Sequence, residues 1–123
     1  MISAKRQEFR ADDRDNRFAR EFSLKLLSHD SAGKIVAIRP INVSSRGLGF
    51  MVKEHLRMGS IFTLLIGAKR FRIEVAYCNP HLGIDGLFRC GLFLREADGN
   101  LQQACEHLGL LADSNHAVVA AVS

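Results

Sequence analysis

Tryptophan is absent from this chain of 123 residues, and tyrosine occurs once. Surfaces that hold single-stranded nucleic acid rely on aromatic faces set among basic side chains. No strand-like stretch here shows that interleaving beyond Phe71 and Arg72, so no DNA or RNA partner is expected. The three cysteines, Cys78, Cys90 and Cys105, are an odd number without framework spacing. That excludes a disulfide scaffold and points to reduced thiols in a cytosolic protein. No apolar run approaches the roughly 18 residues that cross a bilayer as a helix. Residues 1–20 contain no apolar segment of the kind that directs export. A cytoplasmic location with no membrane span is expected.

Catalytic groupings are missing too. No Ser/His/Asp or Cys/His order suggests an activated nucleophile, no carboxylate pair stands out, and no glycine-rich loop fits a phosphate-binding P-loop. Cys78-x-x-His81, Cys90 and Cys105-x-His107 offer sulfur and imidazole. They lack the second close ligand pair of a zinc site. The expectation is a protein that is not an enzyme and holds no metal or cofactor.

Charge is unevenly spread. Residues 96–123 carry Glu96, Asp98, Glu106 and Asp113 but no Lys or Arg. All 17 basic residues, with nine acids, fall in residues 1–95, giving that part +8 against a whole-chain net of +4. Arg outnumbers Lys twelve to five. Guanidinium groups suit forked recognition of phosphates and guanine edges, so the bias favours an anionic partner. The composition, 47% hydrophobic and 24% charged, fits one soluble domain at this length.

The pattern along the chain is mainly β. Residues 1–20 are polar, with six Lys or Arg, and read as a flexible Arg-rich arm. From Glu21, Phe22, Leu24 and Leu26 alternate with other residues at the period of a half-buried strand. A turn signal at His29–Gly33 leads to a β-branched stretch over Lys34–Ile41. Further strands are expected over Gly47–Val52, Ser60–Ile66, Lys69–Cys78 and Phe88–Leu94. In Lys69–Cys78, Phe71, Ile73, Val75 and Tyr77 alternate with Arg70, Arg72, Glu74 and Ala76, which puts Tyr77 on the core face. Six short strands separated by turns predict a small antiparallel barrel or sandwich. Asp98 reads as an N-cap, and Leu101, Ala104, Cys105, Leu108, Leu111 and Ala112 predict a helix from about Gly99 to Ala112. The chain thus divides into an arm (1–20), a barrel with its helix (21–112) and an apolar tail (113–123). The helix stripe and the tail leave monomer and homodimer both open.

Between the second and third strands lies Asn42-Val43-Ser44-Ser45-Arg46-Gly47, an N-x-S-x-x-G corner. Asn and Ser side chains there serve a structural turn in any protein, since both bond local backbone. They can also hold a base edge or a phosphate. Arg17 and Arg20 lie just before the first strand, and Asn42 follows Arg20 by 22 positions.

Six strands, a closing helix, an Arg-rich arm and this corner together resemble the PilZ family. The resemblance runs from about Arg14 to Leu111 and includes Cys90-Gly91-Leu92-Phe93, which is similar to a G-x-F ending in that family. The family motif is R-x-x-x-R before the first strand and D/N-x-S-x-x-G after the second. Asn42, Ser44 and Gly47 match the second part in full. Arg20 stands in the place of the second arginine, Arg17 matches an extra arginine between the two, and Asn16 stands where the first arginine would be.

The resemblance implies a six-stranded antiparallel PilZ-like barrel with a C-terminal helix. It implies cyclic di-GMP as ligand, with a downstream protein that reads the ordering of the arm. Ligand contacts are then expected from Arg14, Arg17, Arg20, Asn42, Ser44, Arg46 and Gly47. Tyr77 matches a position where the family places an aromatic that stacks on guanine, against its alternation-based reading as core. Asn16 favours the alternative: a barrel that binds no nucleotide and serves as a protein-interaction adaptor, as in type IV pilus function.

Overall fold

A computed structural model describes Phe18 and residues 21–29 and 33–112. Arg14, Arg17 and Arg20, and with them most of the arm, lie outside the described residues, as does the tail. The strands are β1 (Leu24–Ser28), β2 (Ile35–Val43), β3 (Gly47–Val52), β4 (Ile61–Ile66), β5 (Lys69–Pro80) and β6 (Phe88–Leu94), followed by helix α1 (Leu101–His107). The six strands form one closed antiparallel barrel in the order β1-β2-β3-β6-β5-β4. Closure leaves no open sheet edge, the usual liability of a small β protein.

Alternation along each strand fills the interior. Leu24 and Leu26 from β1, Val36 and Ile38 from β2, Leu48, Phe50 and Val52 from β3, and Phe62, Leu64 and Ile66 from β4 are all buried. Val43 at the end of β2, Phe71, Ile73 and Val75 from β5, and Cys90, Leu92 and Leu94 from β6 join them. Two strands break step. Register shifts between Pro40 and Asn42 on β2 and between Val75 and Tyr77 on β5. Each shift is a β-bulge, one extra residue that turns the following side chain to the opposite face.

The β5 bulge corrects the alternation-based reading of Tyr77. Ala76 is the extra residue, so Tyr77 points away from the barrel interior, with 41% of its surface exposed, and Cys78 takes the inward position. The strand also runs on to Pro80, two residues beyond the expected end.

The helix is shorter than its apolar spacing predicts, and its cap differs. Asn100, not Asp98, is the N-cap; its side chain accepts a hydrogen bond from the Gln103 amide at 2.9 Å. At the other end Gly109 takes a left-handed φ of +70°. The Gly109 amide donates to the Glu106 carbonyl (2.9 Å) and the Leu110 amide to the Cys105 carbonyl (3.1 Å). That pair of bonds is a Schellman stop. Leu111 continues past it as a single bridge to Phe18, and Phe18 meets Phe22 edge to face at 5.1 Å. Leu101, Ala104, Cys105 and Leu111 join the barrel core, so α1 and the chain after it cover one end of the barrel.

Candidate ligand-binding site

The N-x-S-x-x-G corner is held from within. The Ser44 amide donates to the Gly47 carbonyl (2.9 Å), and the Ser44 hydroxyl accepts from the Gly47 amide (3.1 Å). Ser44 is the one fully buried polar side chain among the described residues. Its hydroxyl is already used by the turn. The corner also fastens the C-terminal segment. The Ser45 carbonyl accepts from the Leu101 amide (2.9 Å), and the Arg46 carbonyl accepts from the Leu94 amide (2.7 Å). The Arg46 guanidinium donates to the carbonyls of Glu96 (2.6 Å), Leu94 (3.3 Å) and Ala97 (3.4 Å). Ser44 and Arg46 therefore shape and lock the corner. Asn42 and Tyr77 are the predicted site residues whose side chains turn outward beside it.

Asn42 belongs to the end of β2 rather than to a loop after it. Strand pairing puts it opposite Gly49, Gly49 opposite Gly91, and Gly91 opposite Tyr77. Four strands thus contribute one row to the outer surface: Asn42, Gly49, Gly91, Tyr77. The two bulges sit in the two flanking strands, so both polar ends of the row owe their outward direction to a bulge.

The two central glycines are there for room. Neither Gly49 nor Gly91 has a left-handed backbone, nor does Gly47. A Cβ on Gly49 would lie 2.5 Å from Asn42 Oδ1. A Cβ on Gly91 would lie 2.8 Å from Tyr77 Cζ and 3.0 Å from its hydroxyl oxygen. The Asn42 amide therefore lies over Gly49 and the Tyr77 ring over Gly91, and the row forms a low floor that these two side chains cover.

A third side chain reaches this floor, and the sequence reading missed it. Arg89 is two residues before Gly91 on β6 and so faces the same side. Its Nη2 is 3.8 Å from the Cβ position of Gly49, the volume that Asn42 Oδ1 also borders. Arg89 pairs across strands with Met51 and Asn79. Its Nε is buried with no hydrogen-bond partner among the described residues, and no carboxylate pairs with its guanidinium there. The signal available in sequence was its i–2 relation to the glycine of the G-x-F ending.

Charge around the floor is positive. Arg39 stands in the next outward row with Arg89. The acid nearest in register, Glu74, is paired with Arg95 at 2.7 Å. Glu21, the residue that follows Arg20, lies 3.6 Å from Arg39 Nη1. That exposed pair contributes little stability. It does bring the segment just before β1 to the side of the barrel that bears the floor.

No protein-family profile matches the chain, and no curated protein matches it. Among solved structures, the PilZ domain with c-di-GMP of YcgR from Escherichia coli aligns with a TM-score of 0.52, over 72% of this chain and 86% of that one, at 13% identity. The barrel has a PilZ-like fold. At that identity the likeness concerns architecture. Within this PilZ-like barrel, the described residues include no group of three His, Cys, Asp or Glu that could hold a metal. They also include no helix long and apolar enough to cross a membrane.

Proposed function

We propose that this protein is a cyclic di-GMP receptor that binds its ligand on the glycine floor of the barrel. The observation that carries the reading is the outward placement of Asn42 and Tyr77 over Gly49 and Gly91, beside the N-x-S-x-x-G corner. A purine fits against the exposed Tyr77 ring with its edge towards the Asn42 amide. In this reading Tyr77 stacks on a guanine and Asn42 bonds its edge. Ser44, Arg46 and Gly47 keep the corner in shape. Arg14, Arg17 and Arg20 of the arm grip phosphates and guanines, with the Glu21–Arg39 contact supporting an approach of the arm to this face. The E. coli domain of like fold is a PilZ domain with c-di-GMP, which supports the same ligand class here.

Binding would order the arm and remake a surface that a downstream protein reads, a disorder-to-order switch. The role is that of a cytoplasmic receptor, not an enzyme. Titration calorimetry of cyclic di-GMP into wild type and Arg20→Ala tests it. Saturable binding that collapses in the variant is expected; absence of heat with folded wild type at tens of micromolar ligand sinks the reading.

One observation favours the adaptor alternative. In the β5–β6 loop Leu82 is 91% exposed and Ile84 is 52% exposed. Exposed apolar loop residues of this kind suit a protein partner. Partner capture unchanged by nucleotide and by Arg20→Ala, but lost with Leu82→Ser, would support that function.

A further inference from the structure

We propose that Arg89 is the guanine-reading residue of this face, with its guanidinium forked onto O6 and N7 of the base that Tyr77 stacks upon. The inference rests on the ligand reading above and adds a residue that lies in neither the arm nor the corner. Three observations carry it. Arg89 Nε is buried without an acceptor, a costly state for a donor that marks the guanidinium as one not committed to the protein's own hydrogen bonds. No carboxylate neutralises the group among the described residues. The Asn42 amide oxygen lies over Gly49 with the Arg89 Nη2 beside it, and the Tyr77 ring lies over the neighbouring Gly91.

The chemistry favours a base edge over a phosphate. Arg presents parallel N–H donors in a rigid fork, and guanine alone among the bases offers two acceptors, O6 and N7, side by side. Adenine places an amino donor where guanine has O6, so the same fork meets a donor there. The exposed face of the Tyr77 ring suits a planar base. The Asn42 amide lies close enough to the guanidinium to serve the same base from a second side. Phosphates and the second guanine are left to the arm arginines.

A simpler role exists: the aliphatic part of Arg89 covers Met51 and the charged end reaches water. The test separates the two. Cyclic di-GMP and cyclic di-AMP are titrated into wild type, Arg89→Met and Arg89→Lys, with thermal melting of each to confirm folding. Wild type is expected to prefer the guanine ligand. Arg89→Met is expected to weaken cyclic di-GMP about 10- to 100-fold and leave cyclic di-AMP unchanged, because one forked pair is worth about that much discrimination. Arg89→Lys, a point charge without a fork, is expected not to rescue it. Equal loss on both ligands, no loss on either, or full rescue by Lys overturns the proposal while cyclic di-GMP binding by wild type stands.

A second measurement covers the case in which wild type binds no cyclic dinucleotide. The Arg89 Nε–H signal is followed by nuclear magnetic resonance as 5′-GMP or 5′-AMP is added to the wild-type chain. A shift with GMP alone supports Arg89 and sinks only the cyclic di-GMP reading. No shift with either overturns both.

Discussion

The Tyr77 ring occupies the space in which a side chain of Gly91 would stand: Cζ is 2.8 Å and the hydroxyl oxygen 3.0 Å from the Cβ position. Gly91→Ala must therefore push the ring aside. The ring is 41% exposed and can swing into water, so the barrel itself need not move. The expected cost in stability is within about 1 kcal/mol, as for a surface change that leaves the core intact. The expected effect on the ligand is large, because the stacking face is displaced. Chemical denaturation and titration calorimetry on the same sample check the two halves. A variant that binds cyclic di-GMP as wild type does would show that Tyr77 takes no part.

Arg46→Ala should give the opposite pattern. The side chain donates to three backbone carbonyls of the segment between β6 and α1, at 2.6 to 3.4 Å. Removing it frees that segment and loosens the tie between the corner and the helix. The guanidinium is exposed, so water takes over part of the lost bonding and the loss sits near the low end, about 1 kcal/mol. In a domain of this size that lowers Tm by roughly 4 °C. Affinity for cyclic di-GMP should hold within about threefold, since this guanidinium is committed to carbonyls. A large loss of affinity with an unchanged Tm would return Arg46 to the ligand.

Alternation and turn residues make the barrel legible in the sequence. Third and sixth strands expected over Gly47–Val52 and Phe88–Leu94 have those bounds in the structure. The two features that build the site were hidden. A β-bulge has no residue signature of its own, because Ile41 and Ala76 look like any strand residue. Tyr77 was therefore assigned to the wrong face by a period that is correct up to Val75. The motif itself was visible, but the division of labour inside it was not. Burial of Ser44 and the carbonyl clamp of Arg46 depend on the segment at 94–101, which is some fifty positions away. Helix periodicity ran through Leu111 because Leu111 is indeed core, although it gets there by a bridge to Phe18 after the Gly109 stop. Arg89 escaped notice because a lone arginine in a strand has no meaning until the sheet sets its guanidinium diagonally over Gly49, beside Asn42.

Stability should fall on the alkaline side through buried thiols. Burial raises Cys105 from its ordinary value of 9.0 to about 12, with the charge of Glu106 adding to the rise. Cys90 is raised as well, first by burial and then by its hydrogen bond with Cys78. A raised folded pKa means that the unfolded chain ionises first. The stabilising contribution is whole below pH 9 and is lost as pH rises from 9 towards 12. Each such thiol steepens the loss by about 1 kcal/mol per pH unit in that window. Denaturation of wild type and Cys105→Ala between pH 8 and roughly pH 11 checks the sign. The variant should be the less stable at pH 8, with a shallower decline above 9. Parallel declines would mean that Cys105 ionises freely in the folded protein.

Cys78 and Cys90 should close into a disulfide when the protein is oxidised. They are directly opposite each other on β5 and β6, and the Cys90 thiol lies 2.7 Å from the Cys78 sulfur. Directly opposed residues of antiparallel strands have Cα atoms about 4.5–5.5 Å apart, inside the range that a disulfide spans. Cys78 is the more exposed of the two and meets the oxidant first. Hydrogen peroxide would convert its thiol to a sulfenic acid, and the Cys90 sulfur would then displace water to form the S–S bond. Intact mass should fall by two hydrogens, and Cys78→Ser should prevent it. The bridge closes a short loop across the rim of the barrel, so stability should rise by about 2–3 kcal/mol. The next residue pair in register is Tyr77 and Gly91. Oxidation should therefore stiffen the bulge that aims Tyr77 outward, and the affinity of the oxidised protein for cyclic di-GMP should differ from that of the reduced one. Equal affinities with the bond confirmed by mass would show that the bulge is already rigid without it.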